Sequence, residues 1–179
     1  MKLFVARHSD AGAFIGDDPK AERERPLTAR GKKLAQAVAG AMLDSDEIPS
    51  VGFASPLERT KQTADLLGGL LYFQVNVLDD LAPNRPLEDR ILEIMGHKAL
   101  RKFLIVGHVD NTTPAFENFG GDMGECYRPD DEDTIGSSNH WAPLVKGEVR
   151  RIKIDRKTGR WTCKWRILPS DVGFPDEAT

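Results

Sequence analysis

Two histidines stand just beyond apolar runs of strand-forming residues. Leu3 to Ala6 leads through Arg7 to His8, and Phe103 to Val106 leads through Gly107 to His108. A third run, Val51 to Ala54, ends at Ser55 and Pro56, and Arg59 follows about one helical turn later. The guanidinium group is planar, always charged and binds phosphate oxygens bidentately, so Arg7 and Arg59 suit an anion carrying about two negative charges. A neutral imidazole is a nucleophile, and arginines nearby oppose its protonation. The residues therefore read as a phosphoryl-transfer pocket. His8, beside Arg7, attacks phosphorus, while His108 donates to the equatorial oxygens as the group moves in line. The Ser55 hydroxyl and the backbone N–H groups of the helix opening there complete the anion site.

Such a pocket needs elements that carry these segments to one edge. Strand and helix alternate: a strand to Ala6, a surface loop from Gly16 to Pro26, and a helix capped by Thr28 with Leu34, Val38, Ala41 and Met42 on one face. A strand at Val51 to Ala54 leads to a helix opened by Ser55 and Pro56, with Leu57, Ala64, Leu67 and Leu71 facing inward. Gln74 to Leu78 reads as a strand, Asp79, Asp80 and Pro83 as a loop, Pro86 as the start of a helix through Ile91, Ile94 and Met95, and Phe103 to Val106 as a strand. Pro114 to Phe119 suggests a short helix and Gly120 to Asn139 an irregular stretch. Val149 to Ile154 and Trp161 to Leu168 alternate around Lys157, Thr158 and Gly159 as a closing hairpin, with an exposed tail from Pro169. The pattern predicts an α/β fold, a three-layer α/β/α sandwich with a mostly parallel central sheet, whose ligand collects at the carboxyl ends of the strands. The 179 residues, 40% hydrophobic, are expected to form one domain, 1–179.

Charged residues make up 30% of the chain, but the formal net charge is only -3, which points away from nucleic-acid and membrane-surface partners. The N-terminus lacks the core of a signal peptide, no stretch has the apolar length of a membrane helix, and two cysteines, Cys126 and Cys163, make no disulfide framework. A cytoplasmic protein with reduced thiols is expected.

The stretches RHSDA, RPLTARGKKLAQAVA, SPLERTKQTADLL and LIVGH resemble the histidine phosphatase superfamily, in particular its small bacterial SixA-like phosphohistidine phosphatases. The resemblance implies a phosphoglycerate mutase-like fold, His8 as the phosphorylated nucleophile, Arg7, Arg59 and His108 as pocket residues, and no metal or organic cofactor. It implies hydrolysis of a phosphohistidine protein or a small phosphorylated metabolite. It also points to Asp80, in the loop where the superfamily often supplies its general acid, with Asp79 adjacent and Asp110 following His108. Two departures stand out: Ser9 replaces a usual glycine, which tightens the backbone's approach to phosphate or adds a hydroxyl, and the polar stretch after Asp110 is unlike the usual regular helix.

Other readings compete. His8, Asp10, His108 and Asp110 have the donor types of a metal site, but two adjacent arginines would repel a divalent cation. Arg59 also reads as a helix-surface cation, and His97 and His140 as structural. The basic run Lys146 to Arg166 reads as the solvated side of the hairpin, opposite Val149, Ile152 and Ile154. A mutase needs a more enclosed site. The rival from another class is a non-catalytic module that binds a phosphorylated partner.

Overall fold

The computed structural model describes residues 1–16, 18–83, 85–108, 112 and 144–175. Among the described residues, six strands form one sheet in the order β3-β2-β4-β1-β5-β6. They are β1 (Lys2–Arg7), β2 (Val51–Ala54), β3 (Gln74–Val77), β4 (Lys102–Gly107), β5 (Val149–Ile154) and β6 (Trp161–Ile167). The pairs β1/β4, β2/β4 and β2/β3 are parallel, whereas β5 joins β1 and β6 antiparallel. Among the described residues the α-helices are α1 (Pro19–Glu24), α2 (Ala29–Asp44), α3 (Glu58–Leu71) and α4 (Glu88–Gly96).

Alternation along the central strands divides the core between the two sheet faces. Leu3, Val5, Phe103 and Ile105 pack with Ile91 and Ile94 of α4, while Phe4, Ala6, Leu104 and Val106 pack with Leu34, Val38 and Met42 of α2 and Ala64 and Leu67 of α3. The sheet is therefore covered on both faces, as the three-layer reading requires. Register then fixes the working edge. Arg7 pairs with Gly107, and both Ala6 and Ala54 pair with Val106, so β1, β4 and β2 end level. The chain continues this pairing one step further, with the His8 amide donating to the Gly107 carbonyl at 3.2 Å and the Ser55 amide to the Val106 carbonyl at 3.2 Å.

Several expectations need correction. The stretch 16–26 contains the short helix α1, whose Asp18 side chain accepts from the Lys20 and Ala21 amides at the N-cap. Pro56 precedes α3 instead of sitting in its first turn, because Leu57 is the N-cap, and α4 begins at Glu88, two residues past Pro86. The tail from Pro169 is not simply exposed: Pro169–Val172 forms a 3-10 turn with Pro169 buried, and Val172 and Phe174 pack against the α2 side of the core. In the hairpin, Arg151 pairs with Trp165 and Ile152 with Cys163, so the extra residue, Lys164, lies in β6 while β5 keeps its two-residue period. Arg150 lies on the same face of β5 as Ile152 and Ile154, is fully buried and pairs with buried Glu148 at 2.6 Å, and Arg151 pairs with Glu47, so the basic run is not one solvated face. Cys163 is fully buried in β6, and the expectation of reduced thiols rests on Cys126 as well. Cys126, Asp110, His140 and the expected elements from 114 to 139 lie outside the described residues.

Candidate active site

The loop after β1 is pinned before it reaches the pocket. Thr28, the N-cap of α2, accepts from the Gly31 amide at 2.9 Å and donates to the Asp10 carboxylate at 2.6 Å, and its amide donates to the Asp10 carbonyl at 3.0 Å. A Cβ at Gly31 would lie 2.0 Å from that Asp10 carbonyl oxygen, so only glycine lets the loop lie on the helix. Ser9 is fully buried: its hydroxyl donates to the Gly31 carbonyl at 2.8 Å and its amide to Thr63 Oγ1 at 3.0 Å. The Ser9 hydroxyl thus anchors the loop to α2 and Thr63 of α3, and is not presented as a phosphate donor.

This anchoring sets the His8 ring. Its Nδ1 is 2.8 Å from the Ser9 carbonyl, an oxygen that can only accept, so Nδ1 carries the proton and Nε2 keeps its lone pair. Arg59 Nε lies 3.3 Å from that Nε2. His8 is only 6% exposed, and its pKa is lowered to about 2. Burial is the main cause. The Ser9 carbonyl opposes the shift, and His108, Arg59 and Arg7 add smaller repulsions, so desolvation outweighs the arginines that the sequence reading stressed.

The His8 and His108 rings are 5.3 Å apart between centroids. His108 Nε2 is 2.9 Å from the buried Ser55 hydroxyl, which makes Ser55 the partner that orients His108, and the Leu57 amide donates to the same hydroxyl at 3.4 Å. Arg7 Nη1 donates to the Leu144 carbonyl at 2.9 Å, and the Gly147 amide donates to the His8 carbonyl at 3.1 Å, so the segment entering β5 braces both residues of the β1 end. Five predicted residues, Arg7, His8, Ser55, Arg59 and His108, therefore gather at one edge.

Asp80 has other company. It sits in the 3-10 turn Asp79–Leu81, is 61% exposed at its side chain, and pairs with Arg90 of α4. Asp10 is held by Thr28 and by the Gly12 amide at 3.1 Å; burial pushes its pKa up, but these hydrogen bonds together with the charges of Lys146 and Arg30 leave it below the ordinary value.

Residues 3–83 match the family model described as histidine phosphatase superfamily (branch 1). Solved structures agree over nearly the whole chain. The protein histidine phosphatase SixA complexed with tungstate superposes with a TM-score of 0.72 at 19% identity, covering 96% of this chain and 99% of that one. This chain has the histidine phosphatase fold. The same fold appears in the alpha-ribazole phosphatase from Shigella flexneri, with a TM-score of 0.63 at 18% identity, covering 99% of this chain and 100% of that one. It appears again in a mycobacterial glucosyl-3-phosphoglycerate phosphatase complexed with VO3, with a TM-score of 0.64 at 13% identity, covering 91% and 97%. A comparison with curated protein sequences finds no match.

Within this histidine phosphatase fold, the sequence reading missed the residues that hold Arg59. Glu22 of α1 lies 3.1 Å from Arg59 Nη1, which also donates to the Glu22 backbone carbonyl at 2.9 Å. Buried Arg25 grips the same carboxylate through Nε at 2.8 Å and Nη2 at 2.6 Å, and its Nη1 donates to the carbonyls of Ala11 and Gly12. The Arg25 hydrogen bonds foremost hold the Glu22 pKa below its ordinary value, which keeps it a carboxylate at neutral pH. The three-residue spacing of Glu22 and Arg25 was legible as a local pair. Nothing in it signalled a partner 37 residues away.

Proposed function

We propose that this chain is a phosphohydrolase that works through a phosphohistidine intermediate on His8 and uses no metal. The carrying observation is a buried His8 whose Nδ1 faces the Ser9 carbonyl at 2.8 Å and whose Nε2 faces the Arg59 guanidinium at 3.3 Å, an arrangement that keeps the ring neutral with its lone pair on Nε2. In the first step the Nε2 lone pair forms a bond to phosphorus as the bond from phosphorus to the leaving atom breaks, and the departing pair takes a proton. In the second, water adds to phosphorus, the Nε2–P bond breaks, and inorganic phosphate leaves. Arg7 and Arg59 neutralise the oxygens, while His108, oriented by Ser55, donates where charge develops.

Solved relatives in fold are phosphatases for a protein histidine, a ribazole phosphate and a glucosyl phosphoglycerate, and two hold the oxyanions tungstate and VO3. These support phosphate-ester or phosphoramidate chemistry without fixing the substrate. The pairing of Asp80 with Arg90 favours a leaving group that needs little acid assistance, as an imidazole protonated on its other nitrogen does. On this reading Asp80 serves at most as a secondary acid for alkyl phosphates. Turnover of p-nitrophenyl phosphate by the purified chain, persisting in excess EDTA and lost in His8→Ala, tests the proposal against the alternative of a phosphate-binding module.

A further inference from the structure

A cavity of about 480 Å³ opens between the α1 segment and the start of α3, lined by Phe14, Pro19, Glu22, Arg23, Leu57 and Pro83. This is within the range of about 300–1,000 Å³ typical of small-molecule sites. Two of its walls are bonded directly to pocket residues: Glu22 to Arg59 at 3.1 Å, and the Leu57 amide to the Ser55 hydroxyl at 3.4 Å. A group attached to a phosphoryl held by Arg59 has this cavity next to it.

The wall chemistry is selective. Phe14, Pro19, Leu57 and Pro83 offer no side-chain hydrogen bond, and the Glu22 carboxylate is already occupied by Arg25 and Arg59. Among the described lining side chains a polyol would meet mainly Arg23 and the already engaged Glu22, so stripping water from its hydroxyls costs binding. A flat apolar ring loses nothing of that kind and gains burial. Phe14 is 67% exposed at the lip, so its ring is open to stack on a bound ring, and Arg23 can lay its guanidinium plane on a ring face.

We propose that this cavity is the leaving-group subsite, that it selects phosphoryl donors whose phosphorus is carried on or one atom away from an aromatic or heteroaromatic ring, and that Phe14 is its specificity-determining residue. The inference rests on the phosphohydrolase reading above. Phosphoimidazoles and phenolic phosphates share this chemistry, so the ring, not its source, is what the subsite reads.

Non-hydrolysable phosphonates measure binding apart from leaving-group reactivity. Methylphosphonate, 2-hydroxyethylphosphonate and benzylphosphonate are compared as competitive inhibitors of p-nitrophenyl phosphate turnover. Benzylphosphonate is expected to bind about tenfold more tightly than either of the others. In Phe14→Ala that preference collapses to under threefold, and in Phe14→Tyr it is kept, which separates loss of the ring contact from loss of fold. Measuring kcat/KM of the same variants on phenyl phosphate and on phosphohistidine distinguishes the two sources. A fall in Phe14→Ala for either supports the subsite, and no fall for both overturns it. Equal inhibition by the three phosphonates also overturns the subsite while leaving the phosphohydrolase reading standing. Absence of both turnover and inhibition would remove that reading, and the subsite with it.

Discussion

Arg59 Nε points at His8 Nε2 from 3.3 Å, so a permanent cation donates to the lone pair expected to attack phosphorus. The contact requires His8 to be neutral, in keeping with a pKa lowered to about 2 chiefly by burial. His8 is therefore expected to show no titration in ring NMR shifts between pH 5 and 8. A midpoint near the ordinary histidine value, about 6.5, would contradict it.

The same shift links to stability. Between about pH 6.5 and pH 2 the unfolded chain binds a proton at His8 that the folded chain does not, so stability from this residue falls as pH falls and is level above about pH 7. The slope is at most about 1.4 kcal/mol per pH unit. Urea unfolding of wild type and His8→Gln between pH 4 and 8 should give curves whose difference has this sign. A difference independent of pH would show that burial is not what keeps His8 neutral.

Glu22 acts as a positioning residue for Arg59, itself held by Arg25. Glu22→Ala should lower kcat/KM about tenfold to a hundredfold, the size expected when a phosphate-binding group is misplaced by about 1 Å. Glu22→Gln, which retains a hydrogen-bond acceptor, should recover part of the loss. Weaker inhibition by inorganic phosphate in the same order would locate the defect at Arg59, whereas unchanged phosphate inhibition would rule the positioning role out.

Gly31 lets the Asp10 backbone rest on α2, and the loop that carries His8 depends on that approach. Gly31→Ala should destabilise the fold by about 2 kcal/mol or more despite alanine's better helix propensity, since the obstacle is backbone and cannot rotate away. Gly40, which has open space around it on the same helix, is the control: Gly40→Ala should be neutral or stabilising in thermal unfolding.

Asp80, tied to Arg90, should matter little with phosphohistidine: Asp80→Asn is expected to change kcat by less than about threefold, far below the roughly 10² to 10⁴ of a general acid. A loss of that larger size on an alkyl phosphate alone would assign Asp80 the acid role. An equal large loss on both substrates would mean that the carboxylate positions the pocket.

The residues at strand ends were legible because a buried apolar run announces a strand, and in a parallel sheet every such strand delivers its next residues to the same edge. His8, Ser55 and His108 were found in this way, and Arg59 by its distance from Ser55. The pairs that join separate segments were not legible. Glu22 with Arg59, Thr63 with Ser9, and Leu144 with Arg7 depend on how loops lie on the sheet edge, which no local period encodes. The hairpin misled for a different reason: Val149 and Ile152, three residues apart, cannot share a face, and plain alternation along β5 puts Arg150 with Ile152 and Ile154 on the buried side, where Glu148 pairs with it.

The central claim is a covalent phosphoryl group on His8. Wild-type protein mixed with phosphorus-labelled substrate and quenched within milliseconds should carry label that is stable to alkali and lost in acid, as a phosphoramidate is, and peptide mapping should place it on His8. Label on a serine or aspartate, or full turnover by His8→Ala, would contradict the account.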